Sequence, residues 1–212
     1  CRWIQTPYVY TDVTFSKQTS KNKPMRKLIA AINMTLDGYC DHTAVDPDAE
    51  IHDHYAELIR SADTLLYGRI TYALMDYWRV LAEDPSGDKS MDDFALVMDR
   101  VPKLVFSRTL EQVDWHSAEL AKQPLEEVVR VLKQQAGKNI LVGSRSLIIQ
   151  CMQLNLIDEF QLCIHPVIAG KGLPLFEDMN TRTKLELATT RTFGSGAVLL
   201  NYAPRSERTP HA

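Results

Sequence analysis

The chain has 212 residues, 45% of them hydrophobic, and a formal net charge of −3. Those values suit one α/β domain with a substantial core, and the lack of any basic block argues against nucleic acid as a partner. No apolar run reaches the roughly 18 residues of a membrane helix, so no membrane contact is expected. The four cysteines (Cys1, Cys40, Cys151 and Cys163) lack C-x-x-C spacing, which argues for a reducing, cytoplasmic setting with neither disulfides nor zinc.

Residues 1–24 stand apart, and Met25 directly precedes the first convincing strand. The leader has no signal-peptide pattern, so it is either a non-native remnant or a natural extension. Val9, Thr11, Val13 and Phe15 alternate within it, as an added edge strand or a subunit contact would. The domain proper is expected over residues 25–204, followed by a tail at 205–212.

Lys27–Met34 reads as a strand buried on both faces, as in a parallel sheet, and Thr35-Leu-Asp-Gly-Tyr39 as the turn after it. Ile51, Tyr55, Leu58 and Ile59 line one helix face. Thr64–Tyr67 is a second strand, ending in Gly68-Arg69 and a short helix. Phe94, Val97, Met98 and Val101 mark another helix, Lys103–Phe106 a third strand, and Trp115 closes a minor one. Pro124 opens a helix whose face is Leu125, Val128, Val129 and Leu132. Asn139–Val142 is too short for a helix and meets Gly143, after which Leu147, Cys151 and Leu154 recur at helical spacing. Ser144 or Ser146 caps that helix in this reading. Ile157–Ile168 alternates as a strand, with Asp158 and Glu159 solvated at its start. Lys184–Arg191 and Ala197–Tyr202 form a hairpin. Strands alternating with helices predict a single three-layer α/β domain: a mostly parallel mixed sheet, helices on both faces, and a C-terminal antiparallel hairpin.

Ligands collect at the carboxyl ends of strands in such sheets, and here those ends are polar. They carry Asp37-Gly38, Gly68-Arg69-x-Thr71, Ser107-Arg108 and Gly143-Ser144-Arg145-Ser146. Three strands each deliver an arginine to one edge, which points to phosphate. A strand–glycine–helix junction adds free backbone N–H groups and a partial positive charge. There is no G-x-G-x-x-G after the first strand, no Walker A motif, and no G-x-S-x-G with a triad. His52-Asp53-His54 has i, i+2 spacing on a helix, so it reads as a solvated helix start and no metal is expected. His165 reads as a partly buried strand histidine. Asp37 is either a turn residue or a carboxyl at the cleft mouth that bonds a heterocycle or relays a proton, its pKa raised by partial burial. Glu177 is placed to approach a ligand.

Taken in order, Thr35-Leu-Asp-Gly38, Gly68-Arg-x-Thr-Tyr72, Pro102-Lys-x-Val-Phe-Ser-Arg108, Val142-Gly-Ser144, Leu156-Ile-Asp-Glu159, His165-Pro-Val-x-x-Gly-x-Gly172 and Leu175-Phe176 resemble the dihydrofolate-reductase-like superfamily. The branch they resemble is the stand-alone relatives of the riboflavin-biosynthesis (RibD C-terminal) reductase domain, over Arg26 to about Tyr202. The resemblance implies an NADPH-dependent reductase and a homodimer. It implies that Gly68, Arg69 and Thr71 hold cofactor phosphates and that Ser107 and Arg108 hold the adenosine 2′-phosphate. Gly143 to Ser146 would cradle the pyrophosphate, and Asp37 would face the substrate. The family's Gly-Gly is Gly143-Ser144 here, with Arg145 either crowding or binding the pyrophosphate. The Trp-x-x-Pro-x-Asp-type segment of folate reductases and the H-x-E and P-C-x-x-C of the zinc deaminase half are absent. A pteridine- or pyrimidine-like heterocycle is therefore the expected substrate; the alternative is a non-catalytic nucleotide-binding or sensing module.

Overall fold

β1 (Leu28–Thr35) lies inside the sheet, and its Leu28-Ile-Ala30 run is buried against helices on both sides. The computed structural model describes residues 25–177 and 182–205, so the alternating leader segment lies outside the described residues. Beyond β1 come α1 (Ala49–Arg60), β2 (Ala62–Gly68), α2 (Arg69–Glu83), α3 (Lys89–Arg100), β3 (Lys103–Phe106) and β4 (Ala118–Leu120). α4 (Leu125–Gln134), β5 (Asn139–Val142), α5 (Arg145–Gln153), β6 (Glu159–His165), β7 (Leu185–Thr192) and β8 (Val198–Pro204) complete the order. The sheet runs β4-β3-β2-β5-β1-β6-β8-β7. Its first six strands are parallel, and β8 and β7 are the antiparallel hairpin.

Period-two alternation decides which residue meets which helix layer. Leu28, Ala30, Leu66, Ile140, Val142 and Leu162 pack under α4 and α5. Ile29, Leu65, Tyr67 and Leu141 pack under α1, α2 and α3. α1 begins where the Asp48 carboxylate accepts from Ile51 N at 2.9 Å, and α3 where Asp88 accepts from Ser90 and Met91 N, so side-chain oxygens satisfy orphan donors.

Three expectations need correction. Trp115 does not close a strand; it precedes β4 and is buried, with its indole N–H donating to Asp99 at 2.6 Å. The ring also covers the buried Lys103 ammonium at 3.9 Å. Burial lowers the Lys103 pKa to about 7, while the carbonyls of Met98 and Val101 accept its protons. Nor are Asp158 and Glu159 simply solvated. Asp158 accepts from Leu28 N at 2.8 Å and pairs with Lys133 at 2.6 Å, fastening the start of β6 to β1 and α4. The helix after β2 is also longer than expected, at 15 residues.

Arg26 is a second buried cation, with its side chain 4% exposed and paired with Asp63. It also donates to Lys138 O at 2.7 Å and Thr64 Oγ1 at 3.0 Å. A Cβ on Gly137 would lie 2.5 Å from Asp63 Oδ2, so a larger residue there would have to displace the Asp63 carboxylate. Asp63→Ala leaves a buried guanidinium without its counter-charge. It is expected to cost about 3 kcal/mol, the low end for such pairs because Asp63 is partly solvated. Urea denaturation measures this; a loss below about 1 kcal/mol would mean that the neutral acceptors suffice.

Candidate functional site

A notch opens in the sheet at the carboxyl end of β5. β1 pairs with β5 only from Leu28 to Ala30, yet stays paired with β6 as far as Thr35. On the other side, β2 runs past Val142 to Gly68. The Lys27 carbonyl faces β5, where it accepts from Ile140 N. Alternation along the strand therefore turns the backbone groups of Ala31 and Asn33 into the notch. Gly143 forms its floor, where a Cβ would lie 3.6 Å from the Ala31 carbonyl and 3.9 Å from the Tyr67 ring.

Two helix N-termini meet beside this notch. α2 starts from Gly68 and α5 from Ser144, and neither N-cap residue makes a side-chain capping bond. The sequence reading that Ser144 caps α5 is corrected here. It stands at the cap position, 1% exposed, but its hydroxyl accepts from Gly68 N at 2.8 Å. That bond ties the ends of β2 and β5 together and leaves the first-turn N–H groups of α5 unclaimed by a cap. A Cβ on Gly68 would come 3.4 Å from Ser146 Oγ, so the two junctions are in close contact. Gly68, Thr71, Gly143 and Ser146 thus share one ledge, and Arg69 is exposed at its edge.

Next along the sheet, at the end of β3, the Ser107 hydroxyl accepts from Thr109 and Leu110 N at 3.1 and 2.9 Å. It shapes the turn that presents Arg108, which is exposed. Neither Arg69 nor Arg108 belongs to an ion pair among the described residues, unlike Arg26, Arg60, Arg79, Arg130, Arg145 and Arg191. β3, β2 and β5 are neighbours, so the ledge runs across adjacent strand ends roughly 4.8 Å apart.

The other candidates are committed to contacts within the protein. Arg145 donates to Pro174 O at 2.7 Å and pairs with Glu177, so both side chains fasten the loop after β6. Asp37 is exposed, and its carboxylate accepts from Thr35 Oγ1 at 2.5 Å, Ala169 N at 3.1 Å and Gly170 N at 2.7 Å. The expectation that burial raises its pKa is overturned: the Thr35 hydroxyl, followed by the Gly170 and Ala169 N–H groups, holds it below the usual carboxylate range. Gly170 and Gly172 have φ of +72° and +149°, which places this turn in conformations that favour glycine.

Sequence reasoning passed over a second polar group. Asn33 Oδ1 accepts from Tyr55 OH at 3.2 Å and meets His165 Nε2 at 3.1 Å. His165 is 4% exposed, and burial lowers its pKa. The available signal was Asn33 itself, a carboxamide interrupting an otherwise apolar strand. His52 and His54 are not solvated either. His52 lies against Trp78 and Phe94, and His54 against Tyr55 and Phe193. The described residues contain no cluster suited to a metal ion.

The RibD C-terminal domain family model matches residues 26–199. The Bacillus subtilis protein described as uncharacterized protein YyaP is 37% identical over 191 residues, covering 86% of this chain and 97% of its own. A putative riboflavin biosynthesis protein from Shewanella superposes with a TM-score of 0.65 at 20% identity, over 84% of this chain and 99% of that one. The Thermotoga maritima diaminohydroxyphosphoribosylaminopyrimidine deaminase/5-amino-6-(5-phosphoribosylamino)uracil reductase gives 0.60 at 18% identity, over 85% of this chain and 57% of that one. Enterococcus faecalis dihydrofolate reductase gives 0.55 at 13% identity, over 84% and 96%. The fold is therefore dihydrofolate-reductase-like, and on the family match the chain belongs to the RibD C-terminal domain family.

Proposed function

We propose that this protein is an NADPH-dependent oxidoreductase that reduces a pteridine- or pyrimidine-like heterocycle. The observation that carries the reading is the notch beyond β5, bordered by two helix starts without side-chain caps and two exposed arginines on adjacent strand ends that have no ion pair among the described residues. The residues present fit a dinucleotide. Gly68, Thr71, Gly143 and Ser146 leave room for phosphate oxygens at the N-termini of α2 and α5, Ser144 fixes their spacing, and Arg69 and Arg108 supply charge. Backbone groups of Ala31 and Asn33 in the notch suit a carboxamide. When bound, the cofactor supplies a hydride. The protein's part is to hold the acceptor ring over the notch and keep water from it, and exposed Leu36, Val167 and Ile168 offer an apolar rim for that. The pyrimidine half of the substrate class follows the uracil reductase designation of the Thermotoga protein.

Mixing the protein with NADPH and a panel of pterins and ribityl-pyrimidines should consume nicotinamide absorbance. The second reading is a nucleotide-binding module without turnover. The engagement of the Asp37 carboxylate by three internal donors favours it. NADPH binding with no turnover across the whole panel would select that reading.

We further propose a cytoplasmic homodimer. The free thiols Cys40, Cys151 and Cys163 suit a reducing compartment, and no helix among the described residues is long and apolar enough to cross a membrane. β7 has seven of eight residues exposed and, among the described residues, pairs on one side only, with β8; such an open edge favours association. Light scattering at micromolar concentration should return twice the chain mass, and a monomer would reject the proposal.

A further inference from the structure

The group formed by Asn33, Tyr55 and His165 lies where β1 passes the notch, on the face covered by α1. Asn33 follows Ala31 by two residues, so both side chains stand on that face while their backbones line the notch. Tyr55 reaches down from α1, and His165 stands on β6 beside Thr35. Two partners converge on one atom, Asn33 Oδ1. A carboxamide has two acceptor sites on oxygen and two donors on nitrogen. With the oxygen claimed from two directions, the amide plane is pinned and the Nδ2 group is turned the other way. Nδ2 has no partner among the described residues. Asn33 is itself only half-buried.

The Tyr55 hydroxyl and the buried His165 ring each need a partner under α1, and Asn33 Oδ1 meets both while its own amide donors stay free of them. A pinned amide with free donors at the margin of a cleft is suited to recognising an acceptor on a ligand. Burial lowers the His165 pKa and so favours its neutral ring.

We infer that Asn33, oriented by Tyr55 and His165, is the residue that reads the heterocycle, donating through Nδ2 to a ring carbonyl. This rests on the reductase reading above and narrows it: the substrate must present a carbonyl, as a uracil or a 4-oxopteridine does, where an amino-substituted ring presents a donor. Tyr55 and His165 are positioning residues in this assignment.

Two probes separate the possibilities, 5-amino-6-ribitylaminouracil with ring carbonyls and 2,4,5,6-tetraaminopyrimidine with amino groups in their place. Each is titrated calorimetrically into the NADPH-saturated protein, and NADPH affinity is measured separately. The parent protein should bind the uracil at least about tenfold more tightly. Asn33→Asp replaces both donors by an acceptor. It should weaken the uracil by about ten- to a hundredfold and erase or reverse the preference. Tyr55→Phe should reduce the preference without abolishing it, a change that a purely structural role for the hydroxyl would not cause. Should Asn33→Asp fold poorly, Asn33→Ala must lose the preference instead.

An unchanged preference in a folded Asn33 variant overturns the assignment, as does a parent that favours the tetraamino ring. A parent that binds NADPH but neither probe overturns it too, while leaving cofactor binding intact. Failure to bind NADPH at all would remove the reductase reading itself, and this inference with it.

Discussion

Arg69→Ala and Arg108→Ala are each expected to weaken NADPH by about ten- to a hundredfold, because a charge-assisted bond to phosphate contributes roughly 1.5–3 kcal/mol. The two arginines stand at the ends of neighbouring strands β2 and β3, both exposed. Neither is held by a carboxylate among the described residues, so no internal ion pair has to break before phosphate binds. They should differ in what they discriminate. Arg69 opens α2 beside Ser146 and should act on phosphates that both nicotinamide cofactors carry. Arg108 lies one strand farther from the notch, where a 2′-phosphate would reach, so its loss should leave NADH nearly unchanged. Arg145→Ala is the internal control. Its guanidinium is held by Pro174 O and Glu177, so the variant should loosen the loop after β6 and shift NADPH affinity less than either of the others. Fluorescence titration with both cofactors reads all three variants. Equal affinities of the parent for NADPH and NADH would sink the 2′-phosphate assignment.

Much of the ledge was legible in the sequence because its parts are local. A strand that stops at Gly68-Arg69 or Gly143-Ser144 and turns into a helix announces a strand end, and parallel strands put those ends on one edge. What was not legible depends on contacts far along the chain. Nothing near Ser144 signals that its hydroxyl bonds Gly68, 76 residues away. Nothing near Arg145 signals that Glu177 takes its charge. Asp158 reads as a polar residue before a strand, and only the β1–β6 pairing reveals that Leu28 N needs it. The Asn33 group was hidden for the same reason: its three members come from β1, α1 and β6, and each alone has an ordinary structural explanation.

Asp37→Asn is expected to lower kcat/KM for the heterocycle by about a hundredfold while NADPH affinity holds, the loss that a misplacement of about 1 Å beside the reacting ring brings. The structure changes the reason for expecting this. Asp37 is not a buried acid of raised pKa; its carboxylate accepts three bonds that lower it. It stays ionised at neutral pH and joins the turn after β1 to the Ala169-Gly170 turn after β6. Those two turns flank the strands that carry Asn33 and His165, so the bond set also holds that side of the cleft. Asparagine has one acceptor oxygen and would turn an N–H donor towards a loop N–H, which breaks at least one bond of the set. Linkage gives the sign of the pH effect. A carboxyl with a folded-state pKa below its unfolded value contributes stability above the unfolded value, near 3.9, and loses it as pH falls through the lower folded one. The parent should therefore keep its loop closed down to pH 4, and its rate profile from pH 5 to 8 should carry no step that Asp37→Asn removes. If Asp37 were the proton donor, that step would be present in the parent and absent in the variant. Hydrogen exchange at the Ala169 and Gly170 amides gives the independent reading, with faster exchange in the variant expected. Unchanged exchange together with parental kcat/KM would reduce Asp37 to an ordinary turn residue.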